Sequence, residues 1–263
     1  MRRALAGCLA LSVAAPPLGV FLVLRRMSLM SDVLQHGVLP GIAIGAAVGG
    51  LSVWAMGAGG VVAGLVVALL AGWFARRTGM AEDSQLAALY LVALAAGVAL
   101  ISAQRGVDLT HLLFGSVLAV DNPALLAMAG AATLTLPVLA VIWRPMTLES
   151  LDPGLPTGFG GFSHGCFLAL VVLCVVSGFE ALGTLMSVGL MMLPAIAARH
   201  WSGSLAGQVS IAVALAVTAS VLGLLISFNV EIPAGPAIVL TAGGFWVVSL
   251  LTGPREGLLR ARG

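Results

Sequence analysis

The sequence has no lysine, and charge of either sign is scarce: 12 basic and 10 acidic residues among 263, or 8% charged. A soluble globular domain carries roughly 25%. So few charges cannot cover a water-facing surface. That excludes an ordinary cytosolic enzyme, a disordered chain and a nucleic-acid binder. Cysteine is equally sparse. Cys8, Cys166 and Cys174 lie in apolar stretches with no CxxC pair, and read as small buried hydrophobes. There is no HExxH and no GxxxxGK[ST] phosphate loop. If ATP drives this protein, another chain must hydrolyse it.

Apolar residues are abundant: 60% of the chain, with a mean hydropathy of +1.13. A bilayer core needs about 20 mostly apolar residues per helix. Charges and Gly/Pro clusters cut the chain into about nine such stretches, near 4–24, 33–52, 56–75, 84–103, 123–143, 163–181, 182–198, 205–228 and 233–251. The expectation is one all-α domain over 1–263, a polytopic membrane protein of about 8–9 transmembrane helices. The basic, apolar start resembles a signal peptide but has no cleavage site, so it reads as a span with no surface helix ahead of it.

Arginines concentrate in cytoplasmic loops. With the N-terminus outside, Arg25, Arg26, Arg76, Arg77, Arg144, Arg199, Arg255, Arg260 and Arg262 all face inside, leaving only Arg2, Arg3 and Arg105 outside. The C-terminus is then cytoplasmic. Segment 105–121 becomes an external amphipathic element. Segment 144–161, the longest polar stretch, becomes a cytoplasmic loop suited to a partner. Gly37, Gly41, Gly45 and Gly49 repeat at four-residue spacing, a small-residue ridge for close helix packing within one subunit or across a dimer.

Ionisable residues inside spans are costly, about +2.5–3.5 kcal/mol for Asp at a helix centre, and mark candidate sites. Asp32 and His36 are four apart and share a helix face. A carboxylate and an imidazole together suit Zn²⁺, Mn²⁺ or Fe²⁺. Equally, Ser31 or Asp32 could cap the helix and His36 could be a packed histidine. Glu180, deep in the sixth or seventh stretch, could line an ion pathway or bond a neighbouring helix. His111, His164, His200 and Glu231 carry weaker signals. Met27, Met30, Met191 and Met192 read as packing rather than soft pore lining. Gly161–Gly165 matches G-x-S-x-G, yet lacks the strand–turn–helix setting a serine hydrolase needs.

Several blocks together resemble a known family. Leu18–Ser28 (LGVFLVLRRMS), Ser31-Asp32 and His36–Gly41 (HGVLPG) resemble the start of manganese/zinc ABC transporter permeases. Asp108-Leu109 with Leu113–Gly115 and Leu118–Val120, Ala181–Leu185 with Leu193–Arg199, and Ile232–Leu240 follow in the family's order. The resemblance implies a type II ABC importer permease fold in a bacterial inner membrane. It further implies a homodimer with the ion pathway at its interface, two copies of a cytoplasmic ATPase, and an extracytoplasmic metal-binding protein that delivers the ion. The transported divalent metal would be Zn²⁺ or Mn²⁺, with iron also compatible, and ATP would be used by the partner. Asp32 and His36 would contact the metal. A coupling helix near 146–158, with Glu149, Asp152 and Pro153, would dock the ATPase. Ser31 and Gln35 depart from the usual motif. So does 151–160, where Gly and Pro replace helix formers at about 1 and 3 kcal/mol respectively. The alternative is a stand-alone secondary transporter that relays protons through Asp32, Glu180 and Glu231.

Overall fold

The computed structural model describes residues 2–28, 30–50, 52–79, 82–103, 120–151, 160–255 and 257, and every regular element among them is a helix. In chain order these are α1 (Arg2–Leu24), α2 (Met30–Gly37), α3 (Leu39–Gly49), α4 (Val53–Thr78), α5 (Glu82–Ala103), α6 (Asn122–Leu151), α7 (Gly160–Leu182), α8 (Thr184–Arg199), α9 (Leu205–Val230) and α10 (Ala234–Thr252). Seven of them are long and apolar enough to cross a bilayer: α1, α4, α5, α6, α7, α9 and α10. The all-α polytopic expectation therefore holds.

The remaining two expected stretches are built differently. The seventh is α8, only 16 residues long. The second is split into α2 and α3. Pro40, in the first turn of α3, accounts for the split. It has no N–H to return to the His36 carbonyl, and its ring collides with that carbonyl in a continuous helix.

α1 and α7 form the interior. Each buries 72% of its most apolar window, against 17–33% for the other five spans. α1 packs on α6, α7, α8 and α9, while α7 also packs on α4 and α2. Its pair Pro16–Pro17 is tolerated because neighbouring helices surround it. A polar tie crosses this core: the Ser12 and Ser220 hydroxyls lie 2.8 Å apart, joining α1 to α9. Val48, Val92, Val141 and Leu240 instead point outward, as residues facing lipid or another subunit do.

The glycine ridge packs α3 on α4 within this chain. A Cβ on Gly41 would run into the Gly59 carbonyl, and one on Gly45 into that of Ala55. Each glycine lets two backbones approach to a distance no side chain permits.

The packing groups the helix ends into two sets. Gly37 faces Val67 and Gly64 faces Val172, while Gly57 faces Glu180, so α4 runs antiparallel to α7. Leu11 lies by Gly178, itself against Ser187, and Gly19 lies by Ala195, so α1 and α8 run parallel. Arg25, Arg76, Arg77, Arg199 and Arg255 consequently share one end of the bundle, with Arg2 and Arg3 at the other.

Two boundaries differ from expectation. α6 continues through Arg144 to Leu151, so the polar stretch expected from residue 144 begins as helix. Pro145 is accommodated there. Beyond it, the Thr147 and Ser150 hydroxyls donate to the Trp143 and Met146 carbonyls at 2.7 and 2.6 Å. Asp121, expected within an external amphipathic segment, is instead the cap of α6: its Oδ1 accepts from the Ala124 N–H at 2.9 Å. Residues 104–119, with Asp108 and His111, lie outside the described residues. So do Asp152, Pro153 and the rest of 152–159.

Candidate metal-ion site

α2 begins at Met30, which places Asp32 inside its first turn rather than at its cap. A carboxylate there complements the positive helix N-terminus. Asp32 Oδ1 stands 3.9 Å from His36 Nε2 one turn on. That is too long for a hydrogen bond. It does suit a shared ion: two donors, each about 2.0–2.2 Å from one metal, lie at most roughly 4.2 Å apart. The Asp32 side chain is 58% exposed and that of His36 25% exposed, so the pair is reachable from outside the chain.

The other side of α2 is buried and polar. Ser31 Oγ, Gln35 Nε2 and His36 Nδ1 are all buried without a hydrogen-bond partner. Among the described residues only Glu180 Oε1 and His200 Nδ1 share that condition. Each such atom costs about 1–3 kcal/mol. Three on one eight-residue helix therefore need an explanation beyond packing. The His36 ring leans on Tyr90 of α5, with centroids 5.7 Å apart. Pro40 supplies no N–H to the His36 carbonyl at the one-residue joint of α2 and α3, where Val38 keeps helical dihedrals. Broken helices with freed carbonyls are a recurring way to build ion sites within membranes.

No group of three or more His, Cys, Asp or Glu among the described residues lies close enough to hold a metal ion. The Asp32–His36 pair brings two such side chains together.

The other candidates lie apart from it. Glu180 sits near the end of α7 against Gly57, where an added Cβ would lie 3.1 Å from its Oε2. Gly37, next to His36, faces Val67 of the same α4. Ten residues of helix separate Gly57 from Val67, about 15 Å. The Asp32–His36 pair and Glu180 therefore lie at different levels of α4. Glu231 takes the left-handed cap of α9 and is exposed.

His164 and Glu149 both meet Arg25, at 2.9 and 3.0 Å. His200 is buried at the end of α8, where its carbonyl accepts from the Arg255 N–H at 3.3 Å. Met30, Met191 and Met192 are buried core residues, with Met27 packed against them. Ser163 is buried in the first turn of α7, and the described residues hold no strand.

Sequence reasoning missed two residues. Tyr90 is the only tyrosine in the chain, and that singularity was the available signal. Arg25 is read from sequence as a topology marker and as part of the Leu18–Ser28 block, with no contact partner assigned.

This is a polytopic helical bundle with a half-exposed carboxylate–imidazole pair on a broken helix, the architecture of a membrane ion permease. The chain belongs to the ABC 3 transport family, whose model matches residues 1–253. It is 31% identical to the manganese import system permease protein ScaB of Streptococcus parasanguinis, over 97% of this chain and 91% of that one. It is 30% identical to the chelated iron transport system membrane protein YfeD of Yersinia pestis, over 95% of this chain and 84% of that one. Among solved structures it resembles PsaBC from Streptococcus pneumoniae in complex with Fab. The TM-score is 0.86 at 30% identity, covering 100% of this chain and 95% of the other.

Proposed function

We propose that this chain is the membrane-spanning subunit of an ATP-driven importer of a divalent transition metal ion, Mn²⁺ or Zn²⁺, with Fe²⁺ as a further candidate. The observation that carries this is the Asp32–His36 pair, 3.9 Å apart on the short helix before the Pro40 break. Family membership and the manganese import and chelated-iron transport of the two relatives support the substrate class.

Two chains complete the site. A homodimer sets one half-site against another and gives four side-chain ligands, the usual number for zinc. Water and the freed carbonyls would raise the coordination for manganese. The exposure of Asp32 leaves it available to a second copy. Glu180 lines the pathway near the opposite end, away from the half-site. Two ATPase subunits dock at the arginine-rich end, on the region from Glu149 through Asp152 and Pro153. That end faces the cytoplasm of a bacterial inner membrane, with the N-terminus outside, a reading the arginine distribution supports. An extracytoplasmic metal-binding protein delivers the ion.

The test is metal uptake into proteoliposomes, with and without the ATPase and binding protein, scanning Mn²⁺, Zn²⁺ and Fe²⁺. ATP-dependent uptake only in the full mixture is expected. Gradient-driven uptake by this chain alone would overturn the proposal in favour of a secondary transporter.

A further inference from the structure

Arg25 follows the last residue of α1, and its guanidinium is where three helices meet. Nε donates to Ser150 Oγ at 3.1 Å. Nη1 bonds His164 Nδ1 at 2.9 Å. Nη2 donates to Glu149 Oε2 at 3.0 Å and to Met146 Sδ at 3.3 Å. The group also lies over the Phe167 ring, 5.6 Å from its centroid. Arginine has five donors and no acceptor, so His164 Nδ1 must accept, with its ring hydrogen on Nε2. Met146, Glu149 and Ser150 belong to the last turns of α6, and His164 and Phe167 to the first turns of α7. One side chain therefore grips both helices that residues 152–159 connect. The ion-paired side chains are only 12% and 15% exposed, which shields the pair from solvent screening.

The backbone beyond Arg25 is equally constrained. The Met27 N–H returns to the Leu22 carbonyl at 2.9 Å and the Arg26 N–H to that of Val23 at 3.1 Å. This is a Schellman closure. Its left-handed position, usually glycine, is held by Arg26 at φ 59°. A bulky residue there stores strain that the surroundings must impose. The Met30 N–H then bonds the Met27 carbonyl at 3.1 Å and starts α2. Asp32 follows within its first turn.

We propose that Arg25 is a positioning residue that carries displacement of the α6 and α7 ends to α2, and so links the arginine-rich end to the Asp32–His36 pair. The inference rests on the ATPase docking there. If α6 and α7 move together, the end of α1 moves with them, and α2 follows across the closed turn. Coupling through such a contiguous network becomes physical when both ends bias one element, here α2.

The test uses the complete transporter in proteoliposomes, with ATP hydrolysis and Mn²⁺ uptake measured on the same vesicles. Arg25→Gln stays polar but is shorter and uncharged, so it loses the ion pair and the bridge between α6 and α7. It should assemble and hydrolyse ATP, while Mn²⁺ moved per ATP falls about tenfold and the half-saturating Mn²⁺ concentration stays within about twofold. Arg25→Lys, which can pair Glu149 but cannot bridge three partners, should fall between. Unchanged uptake per ATP in Arg25→Gln overturns the inference. Equal loss of hydrolysis and uptake also overturns it, because that is a structural defect. If Arg25→Gln fails to assemble, His164→Ala and Phe167→Leu each remove one contact of Arg25 on α7. Reduced uptake per ATP in both supports the inference, and no reduction in either overturns it. Failure of ATPase docking itself would show separately, as transport by the unsubstituted chain without ATPase.

Discussion

Asp32 and His36 face one another across a single helical turn with their donor atoms 3.9 Å apart and no bond between them. That separation is at the outer limit of an ion pair and within the span of one metal ion held by both groups. Asp32→Ala or His36→Ala should therefore reduce metal uptake to background while the chain still assembles with its partners. Asp32→Asn, which keeps an oxygen donor but not the charge, should retain weak uptake with a raised half-saturating concentration. Normal transport in both alanine variants would remove the site from α2.

The architecture was legible wherever hydropathy alone decides it. α4, α5, α9 and α10 fall close to the stretches expected from composition, because arginines and Gly/Pro clusters punctuate them. α2 and α3 were read as one span. Pro40 was visible, but whether a proline bends a membrane helix or breaks it depends on neighbours that can satisfy the freed carbonyl. The Asp32–His36 pair was legible because four-residue spacing is local. Its distance from Glu180 was not, since that depends on how α4 runs against α7. The Arg25 cluster was invisible for the same reason: its partners are 121 to 139 positions away.

Gly41 and Gly130 should respond oppositely to a methyl group. A Cβ at Gly41 meets the Gly59 carbonyl, whereas one at Gly130 in α6 meets nothing within 4 Å. Gly41→Ala should destabilise by about 1–3 kcal/mol through forced separation of α3 and α4. Gly130→Ala should be neutral or stabilising by up to about 1 kcal/mol, as alanine is the better helix former. Thermal unfolding in detergent distinguishes them, and equal midpoints would contradict the packing of α3 on α4.

Pro40→Ala tests the break itself. Alanine restores an N–H four residues after His36, so the α2–α3 joint can close into continuous helix. Stability should change by less than about 1 kcal/mol, because Pro40 already sits in the first turn of α3, where proline is tolerated. Uptake should fall, because the His36 carbonyl is drawn back into the ladder and α2 loses its separate orientation. Full uptake in Pro40→Ala would mean that the split second span has no part in transport.

Gln35 separates function from stability most sharply. Its side-chain nitrogen is buried without a partner, and the residue is only 1% exposed. Gln35→Met is close to isosteric and removes the orphan. If packing alone governs α2, the variant gains about 1–3 kcal/mol, or roughly 2–4 °C per kcal/mol in a chain of this size, with transport intact. The concentration of orphans beside His36 argues for a different result. We expect the same gain in stability together with reduced uptake, because the amide would bond in the metal-loaded state what it lacks here. Thermal unfolding and Mn²⁺ uptake on one preparation decide it. A more stable protein that transports normally would make Gln35 a tolerated packing defect and leave Asp32 and His36 as the only functional side chains of α2.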